Sequence, residues 1–332
     1  MEVFCYAEVA KPDATTERLQ RLAHHWRSTV GVADRAIAEQ VRRDGIDILV
    51  DLAGHTARSR LLAFAYKPAP VQVTWIGFLG TTGLSAIDYI IAHQLMIPEA
   101  RRRFYSETVF DLDGYVTFAH PGKGLMPAPA PVLSRGHVTF GCFNNATKIR
   151  TPALNAWSRI LARVPESRLI LKSGAFDNPD VVAGFQRRFA AAGADPARIE
   201  FRGASKFYDY LRSYADIDIA LDPFPANGGT TTRDTLLMGV PMVTLWGQTF
   251  AGRVGGATMA AIGLSELAAE HVDAYVDIAV RLAADRPRLV ALRGEIRGRT
   301  EASLISDART VTRGVEAAFR EMWARWCRQQ AA

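Results

Sequence analysis

The densest group of chemically useful residues is the run IALDPFPANGGTTTRDTLLMGVPMVTL, from Ile219 to Leu245. It reads as a strand ending in Asp222, a Pro/Gly turn, three threonines and then a helix. Gly228 and Gly229 allow a backbone to approach a ligand closely. Thr230, Thr231 and Thr232 offer hydroxyl donors and can cap a helix whose free N–H groups and dipole attract an anion. The chemistry this suits is phosphate binding; the plainer alternative is an ordinary capped turn. Asp234, one turn into the helix, can bond a ribose hydroxyl or simply complement the helix dipole.

A second group lies in FGCFNNATKI, from Phe140 to Ile149, where a strand runs into Asn144, Asn145, Thr147 and Lys148 before the helix opening TPALNAW. A lysine just past a strand end is a point charge with three donors. Lys148 can hold a diphosphate and neutralise the charge that develops on it as a leaving group. Upstream, ILVDLAGHTARSR sets Asp51 and His55 at another strand end, with Gly54 permitting a sharp turn. His55 can serve as an acid or base, or as a hydrogen-bonded structural group. WIGFLGTTGLSAIDY then brings Gly77, Gly80, Thr81, Thr82 and Gly83 after a further strand end, as a flexible polar loop at a cleft or a plain connection.

These segments need strand ends to carry them. Apolar runs rich in Val and Ile recur between helical patterns: VFCYA from Val3, IDILVDL from Ile46, VQVTWI from Val71 and DYIIA from Asp88. That alternation predicts a parallel sheet covered by helices. The stretch from Pro121 to Gly136, PGKGLMPAPAPVLSRG, interrupts it. A second series follows: HVTFGCF from His137, RLILKS from Arg168, RIEFRG from Arg198, IDIALD from Ile217 and PMVTLW from Pro241. The reading is therefore an α/β protein of two doubly wound domains, 1–125 and 137–306, joined by a linker at 126–136 and followed by a helix over 307–332. Their strand carboxyl ends would face one another across a cleft. In the final helix Val315, Phe319 and Met322 form an apolar stripe, with Trp323 and Trp326 alongside, while Arg313, Arg320, Arg325 and Arg328 would be solvated.

Bulk properties narrow the function classes. A chain of 332 residues that is 48% hydrophobic and 22% charged can bury a substantial core. It has no run of roughly 18 apolar residues and no leader-like start, so the expectation is a cytoplasmic protein without a membrane partner. Cys5, Cys142 and Cys327 are too few and too scattered for a disulfide framework, and no Cys/His cluster has zinc-ligand spacing. The net charge of +6 comes from arginines interleaved with Asp and Glu. A nucleic-acid partner would call for a clustered basic face with stacking aromatics; an anionic small substrate accounts for the charge equally well.

Taken together, KPAPVQVTWIGFLGTTGLSAIDYI, FGCFNNATKI, RVPESRLIL and LDPFPANGGTTTRDTLLMGVPMVTL resemble glycosyltransferase family 41, the family of the O-linked N-acetylglucosamine transferases and SPINDLY proteins. The likeness covers nearly the whole chain. It implies a GT-B fold of two Rossmann-like domains and inverting transfer of a sugar without a metal. It also implies a nucleotide held by the second domain, and Ser or Thr side chains of proteins as acceptors. By motif, Lys148 is similar to the family's diphosphate lysine and Asn145 to its neighbour, Thr230 and Thr231 to the phosphate-binding pair, and Asp234 to the ribose-binding carboxylate. ASKFYDYLRSYADIDIALD resembles the base-binding stretch, which makes Ala204 and Lys206 candidates at the nucleobase and Arg212 a candidate to stack on it.

The resemblance leaves the donor open. Gly229 stands where the animal enzymes carry a histidine, as it does in SPINDLY-like and many bacterial members, so UDP-N-acetylglucosamine and GDP-fucose both remain candidates. The opening MEVFCYA matches the family's second strand. The implied first domain is accordingly incomplete, lacking the first strand, the histidine-bearing loop after it and the acceptor-presenting tetratricopeptide repeats. An open strand edge would invite oligomerisation, and a catalytically weak nucleotide-sugar-binding or scaffold fragment is the competing reading.

Overall fold

A computed structural model describes residues 1–114 and 125–331, which cluster into two units. The first takes Met1–Ala92, Glu99–Leu112 and the C-terminal run from Val315; the second takes His93–Pro98 and the described residues from Asp113 to Gly314.

In the first unit the order is β1 (Phe4–Ala7), α1 (Ala14–Leu22), β2 (His25–Ser28), α2 (Asp34–Arg43), β3 (Ile48–Asp51), α3 (Leu61–Ala65), β4 (Val71–Thr74), β5 (Tyr89–Ala92), α4 (Glu99–Arg102) and β6 (Thr108–Asp111). Two parallel sheets result, β1-β2 and β3-β4-β5-β6. β4 is buried along its whole length, as VQVT in the interior of a helix-covered parallel sheet requires. Inside it, Gln72 Nε2 donates to the carbonyls of Phe64 at 2.9 Å and Ala86 at 2.8 Å, while its Oε1 is buried without a partner. Ile37, Val41, Leu61, Phe64 and Ile87 form the core beneath β3 and β4. Asp13 starts α1 by accepting the Thr16 N–H at 2.8 Å in a capping box.

The second unit contains α5 (Val132–Arg135), β7 (Thr139–Cys142), α6 (Thr151–Arg163), β8 (Arg168–Lys172), α7 (Pro179–Ala191), β9 (Ile199–Arg202), α8 (Phe207–Arg212), β10 (Ile219–Leu221), α9 (Thr230–Leu237), β11 (Met242–Leu245), α10 (Val254–Ala261), β12 (Ala268–Ala269), α11 (Val272–Ala284) and α12 (Arg286–Ala302). Its six-stranded parallel sheet has the order β12-β11-β10-β7-β8-β9. The chain enters at β7 in the middle, winds outward through β8 and β9, then returns to lay down β10, β11 and β12 on the other side. β7 and β10 are therefore neighbours whose following loops diverge to opposite faces, the place where a doubly wound sheet opens a crevice. Gly141 makes that contact close: a Cβ there would meet Ile217 Cγ2 at 2.5 Å.

The fold class is the expected α/β one with parallel sheets. The nine strands read from apolar runs all form, and three more appear: β2, β6 and β12. HWRS in β2 and TVFD in β6 lie at sheet edges without a buried residue, so neither carries an apolar signature.

The expected division at 126–136 does not match the structure. Residues 115–124, which include the first four residues of the Pro/Gly interruption, lie outside the described residues. The remainder of that stretch belongs to the second unit's core, where Ala130 and Val132 are buried. Buried Asp218 accepts the Val132 N–H at 2.9 Å and the Thr139 N–H at 2.8 Å, and Arg293 donates to the Ala128 carbonyl at 2.8 Å. These bonds turn a proline-rich segment into a fixed strap. Likewise the last helix, α13 (Ala308–Gln330), is divided between the units at Val315. Val311, Val315, Ala318 and Met322 are buried at helical spacing, while Arg313, Arg320 and Arg328 are exposed. Arg325 lies over the Phe110 ring, 5.6 Å from its centroid.

Fully buried Tyr275 ties the second unit's helices to its sheet: its hydroxyl accepts from Trp157 Nε1 at 3.1 Å and donates to the Asp222 carbonyl at 3.1 Å. Tyr275→Phe strips both partners and leaves a buried indole N–H unpaired, a loss of about 1–3 kcal/mol. Urea unfolding should show the midpoint falling without a change in slope; an unchanged midpoint would contradict this account of the core.

Candidate functional site

The site in the second unit is built from the loops after β7 and β10. Asp222 immediately follows β10, with 1% of its surface exposed. Its Oδ1 accepts the Gly228 N–H at 2.8 Å and its Oδ2 the Thr244 hydroxyl at 2.7 Å. The turn thus closed is also held from Asn227. Its Oδ1 takes the Gly255 N–H at 3.2 Å, and its main-chain carbonyl takes Lys148 Nζ at 2.6 Å. Lys148 stands in a short 3₁₀ turn, Ala146–Lys148, directly after β7. The structure therefore brings together Lys148 and the Asn227–Gly229 turn. Gly228 is required by this closeness: a Cβ there would lie 2.5 Å from Thr232 Oγ1 and 3.1 Å from Asn144 Oδ1.

α9 starts immediately beyond, with Gly229 as its N-cap and no side-chain cap. The expectation that the threonine hydroxyls cap this helix is not met, because all three lie inside its first turn rather than before it. Thr230 is exposed, Thr231 half-buried, and Thr232 Oγ1 is buried without a hydrogen-bond partner. An uncapped helix start presents N–H groups with no intrahelical acceptor, which is the arrangement that receives a phosphate.

Asp234 faces inward with 3% of its surface exposed. Burial raises its carboxyl above the ordinary range, opposed by the Arg233 charge and by the nearby Tyr210 hydroxyl. Asn145 is exposed and spends its side-chain oxygen locally, accepting from Thr147 N and Thr147 Oγ1 at 3.0 Å each. Ala204 and Lys206 are exposed at the entry to α8. The Ala204 N–H is already taken by both oxygens of Asp177, at 3.2 and 3.1 Å, and Lys172 Nζ donates to the Gly203 carbonyl at 2.9 Å. Arg212 is not brought to this group. Its guanidinium pairs with Asp209 at 2.8 Å on the exposed side of α8, and Tyr210 takes the inward position instead.

In the first unit, Asp51 ends β3 and does for its turn what Asp222 does for the other. It accepts the N–H groups of Ala53 and Gly54 at 3.0 Å and the Thr74 hydroxyl at 2.8 Å. Gly54 sits at φ +54, which an L-residue adopts only with strain. This turn lifts His55 into an exposed position, edge-on to Phe78 at 5.2 Å. The loop with Gly80, Thr81 and Thr82 is held more firmly than a flexible connection. Buried Glu107, which the sequence reading did not single out, accepts the Thr81 hydroxyl at 2.7 Å, the Thr82 N–H at 2.6 Å and the Thr82 hydroxyl. Among the described residues there is no group of three or more His, Cys, Asp or Glu able to hold a metal, and no helix long and apolar enough to cross a membrane.

A doubly wound parallel sheet with a glycine turn, a lysine and an uncapped helix start at its switch point has the architecture of a GT-B glycosyltransferase domain. The family model for glycosyl transferase family 41 matches residues 1–117 and 131–315, and the chain belongs to that family. It is 38% identical to the probable UDP-N-acetylglucosamine–peptide N-acetylglucosaminyltransferase SPINDLY of Oryza sativa subsp. japonica, over 98% of this chain and 36% of the rice protein. It is 33% identical to the corresponding SEC protein of Arabidopsis thaliana, over 99% of this chain and 35% of that one. A solved Thermobaculum terrenum O-GlcNAc transferase mutant superposes with a TM-score of 0.93 at 37% identity, covering all of this chain and 63% of the other. The lipopolysaccharide outer core galactosyltransferase WaaB shares the fold at a TM-score of 0.62 and 13% identity. The chain thus spans about a third of the length of the curated relatives it matches.

Burial is the main reason the Asp222 carboxyl is pushed up to about 7, against lowering by Gly228, Thr244 and Lys148. A folded-state value above the ordinary 3.8 means that the folded chain holds this proton more tightly than the unfolded one. The associated stability is present at low pH and is lost as pH rises towards about 7, by at most roughly 1.4 kcal/mol per pH unit. Asp222→Asn removes this dependence. Denaturant unfolding at several pH values should show the stability of the wild-type chain, relative to the variant, declining across this window; parallel profiles would refute the assignment.

Proposed function

We propose that this chain carries the donor site of an inverting transferase. It would move N-acetylglucosamine from UDP-N-acetylglucosamine to Ser or Thr hydroxyls of cytoplasmic proteins. The observation that carries the reading is the meeting of Lys148 with the Asn227–Gly229 turn at the open start of α9. The names of the relatives, which specify N-acetylglucosamine transfer to peptides, supply the sugar and the acceptor class.

In this mechanism the diphosphate lies on the first turn of α9, against the N–H groups and hydroxyls of Thr230 and Thr231. Asp234 takes a ribose hydroxyl, and the base lies along Ala204–Lys206. An acceptor hydroxyl attacks the anomeric carbon from the face opposite the diphosphate, so configuration inverts as the bond to the leaving oxygen breaks. Negative charge then grows on the β-phosphate. Lys148 and the helix dipole are positioned to stabilise it, and an electrostatic group of this kind acts mostly in the transition state. His55 is our candidate to receive the acceptor's proton. Because the lysine and helix start fill the charge-neutralising role, no metal is assigned.

Calorimetric titration of the 332-residue chain should show binding of UDP and UDP-N-acetylglucosamine, with GDP and GDP-fucose as the contrasting pair. No binding of any of them at millimolar concentration would overturn the reading. Lys148→Ala is expected to lower turnover with a Ser/Thr peptide by about 100-fold while changing donor affinity less. EDTA should leave the rate as it was, and a loss restored by added Mg²⁺ would show that the charge assignment is wrong.

A further inference from the structure

The Gly203–Ala204 peptide unit, where the chain leaves β9 for Ala204–Lys206, is held at both ends by side chains from the neighbouring strand and its turn. Lys172, the last residue of β8 and 7% exposed, donates from Nζ to the Gly203 carbonyl at 2.9 Å. The N–H of the same peptide, that of Ala204, is taken by both oxygens of Asp177 at 3.2 and 3.1 Å. A cation thus meets the negative end of the peptide dipole and a carboxylate the positive end, so both bonds are of the stronger, charge-assisted kind. The fit requires a glycine, since a Cβ on Gly203 would lie 1.7 Å from Asp177 Oδ1.

The turn that brings Asp177 there is itself fixed. It is a short 3₁₀ turn, Gly174–Asp177, and its Phe176 is buried edge-on to Phe185 at 5.2 Å and to Phe201 at 5.1 Å. Ser173, which caps this turn, also reaches the other way: its Oγ accepts the Ala175 N–H at 3.4 Å and the Ala146 N–H at 3.2 Å. Ala146 opens the turn that ends in Lys148, whose Nζ meets the Asn227 carbonyl. Bonds therefore connect the lysine turn after β7, through the turn after β8, to the segment after β9. From β7 to β9 is two strand spacings, about 10 Å, on the scale of the separation between the diphosphate and the base of one nucleotide.

We propose that Asp177 and Lys172 are positioning residues for the nucleobase: by clamping the Gly203–Ala204 peptide they set the orientation of Ala204–Lys206 and its spacing from Lys148. This rests on the reading above that the base lies along Ala204–Lys206. In this role neither side chain touches the base. The Ala204 N–H, spent on Asp177, is no donor to a ligand, so the base is met by groups beyond the clamp and the clamp acts only through their placement. That placement matters to affinity because a segment ordered only on contact charges its lost entropy against binding.

The test compares UDP with ribose 5-diphosphate, which lacks the base, by calorimetry on the 332-residue chain and on Asp177→Ala, Asp177→Asn, Gly203→Ala and Lys172→Met, with the thermal midpoint of each. The wild-type chain should bind UDP at least about tenfold more tightly than ribose 5-diphosphate. Asp177→Ala should reduce that ratio to about threefold or less while leaving affinity for ribose 5-diphosphate unchanged, because a hydrogen bond to a charged group has been lost. Asp177→Asn keeps an oxygen to accept the N–H and should retain more of the ratio. Gly203→Ala displaces Asp177 without altering either charge and should lose it, as should Lys172→Met. A purely structural role would weaken both ligands together, and that result in a folded Asp177→Ala chain would overturn the proposal. A ratio left at its wild-type value, or equal loss in the Ala and Asn variants, would do the same. If Asp177→Ala does not fold, Gly203→Ala and Lys172→Met are read by the same criteria. Equal binding of UDP and ribose 5-diphosphate by the wild-type chain would overturn the placement of the base, and this inference with it; no binding of either would overturn the donor-site reading itself.

Discussion

The second unit's site depends on one buried carboxylate. Asp222 has been taken out of water at the end of β10, an arrangement that is tolerable only because its oxygens are met by the Gly228 N–H and the Thr244 hydroxyl. Those two bonds fold the chain back on itself after the strand and fix where α9 begins. The close fit explains the neighbouring glycines. At Gly255 a Cβ would come within 2.2 Å of Thr244 Oγ1 and 2.4 Å of Asp222 Oδ2, and at Gly228 within 3.2 Å of Asp222 Oδ1. The carboxylate, the threonine and the two glycines are thus one device rather than four independent features.

The first unit uses the same device. Asp51 ends β3 as Asp222 follows β10, Thr74 stands beside it on β4 as Thr244 does on β11, and the N–H of a glycine in the following turn completes the set. In both cases an aspartate at a strand's carboxyl end grips a hydroxyl on the neighbouring parallel strand and the backbone of its own following turn. Parallel sheets favour this, because all their carboxyl ends lie on one side and adjacent ends are within side-chain reach. The consequence is a stiff base beneath each loop, on which an exposed residue can be carried: His55 in one unit, Thr230 in the other.

This separation accounts for what the sequence made legible. Buried strands rich in Val, Ile and Leu announce themselves, which is why Val71–Thr74 and five of the six strands of the second unit's sheet could be read, whereas half-exposed HWRS could not. Gly, Thr and Lys at strand ends were visible because their residue types are unusual there. Glu107 and Asp177 were not. Each lies far along the chain from the segment it holds, 25 residues from Thr82 in the first case and 27 from Ala204 in the second, and no periodicity connects them. The proline-rich strap around Ala128–Val132 failed as a linker for the same reason, since the groups that pin it, Asp218 and Arg293, come from remote strands and helices. Arg212, a residue type suited to stacking, lies on the exposed face of a short helix, where it pairs with Asp209.

The buried groups also decide which donors are left for a ligand. Backbone N–H groups of Gly228 and Ala204 are consumed internally, by Asp222 and Asp177. The start of α9, uncapped by any side chain, is not consumed. A loop whose internal donors were unsatisfied would be free to rearrange around any anion, and would have to be ordered at the moment of binding at an entropic cost. Here the turn is closed beforehand by the Asp222 carboxyl, buried beneath it, so the donors that remain keep their geometry whether or not an anion is present. Electrostatic stabilisation of a leaving diphosphate depends on that condition, because dipoles that must first reorient contribute little to a transition state. In the proposed mechanism the polar core beneath the sheet's carboxyl edge is therefore part of the chemistry, although it touches no reacting atom.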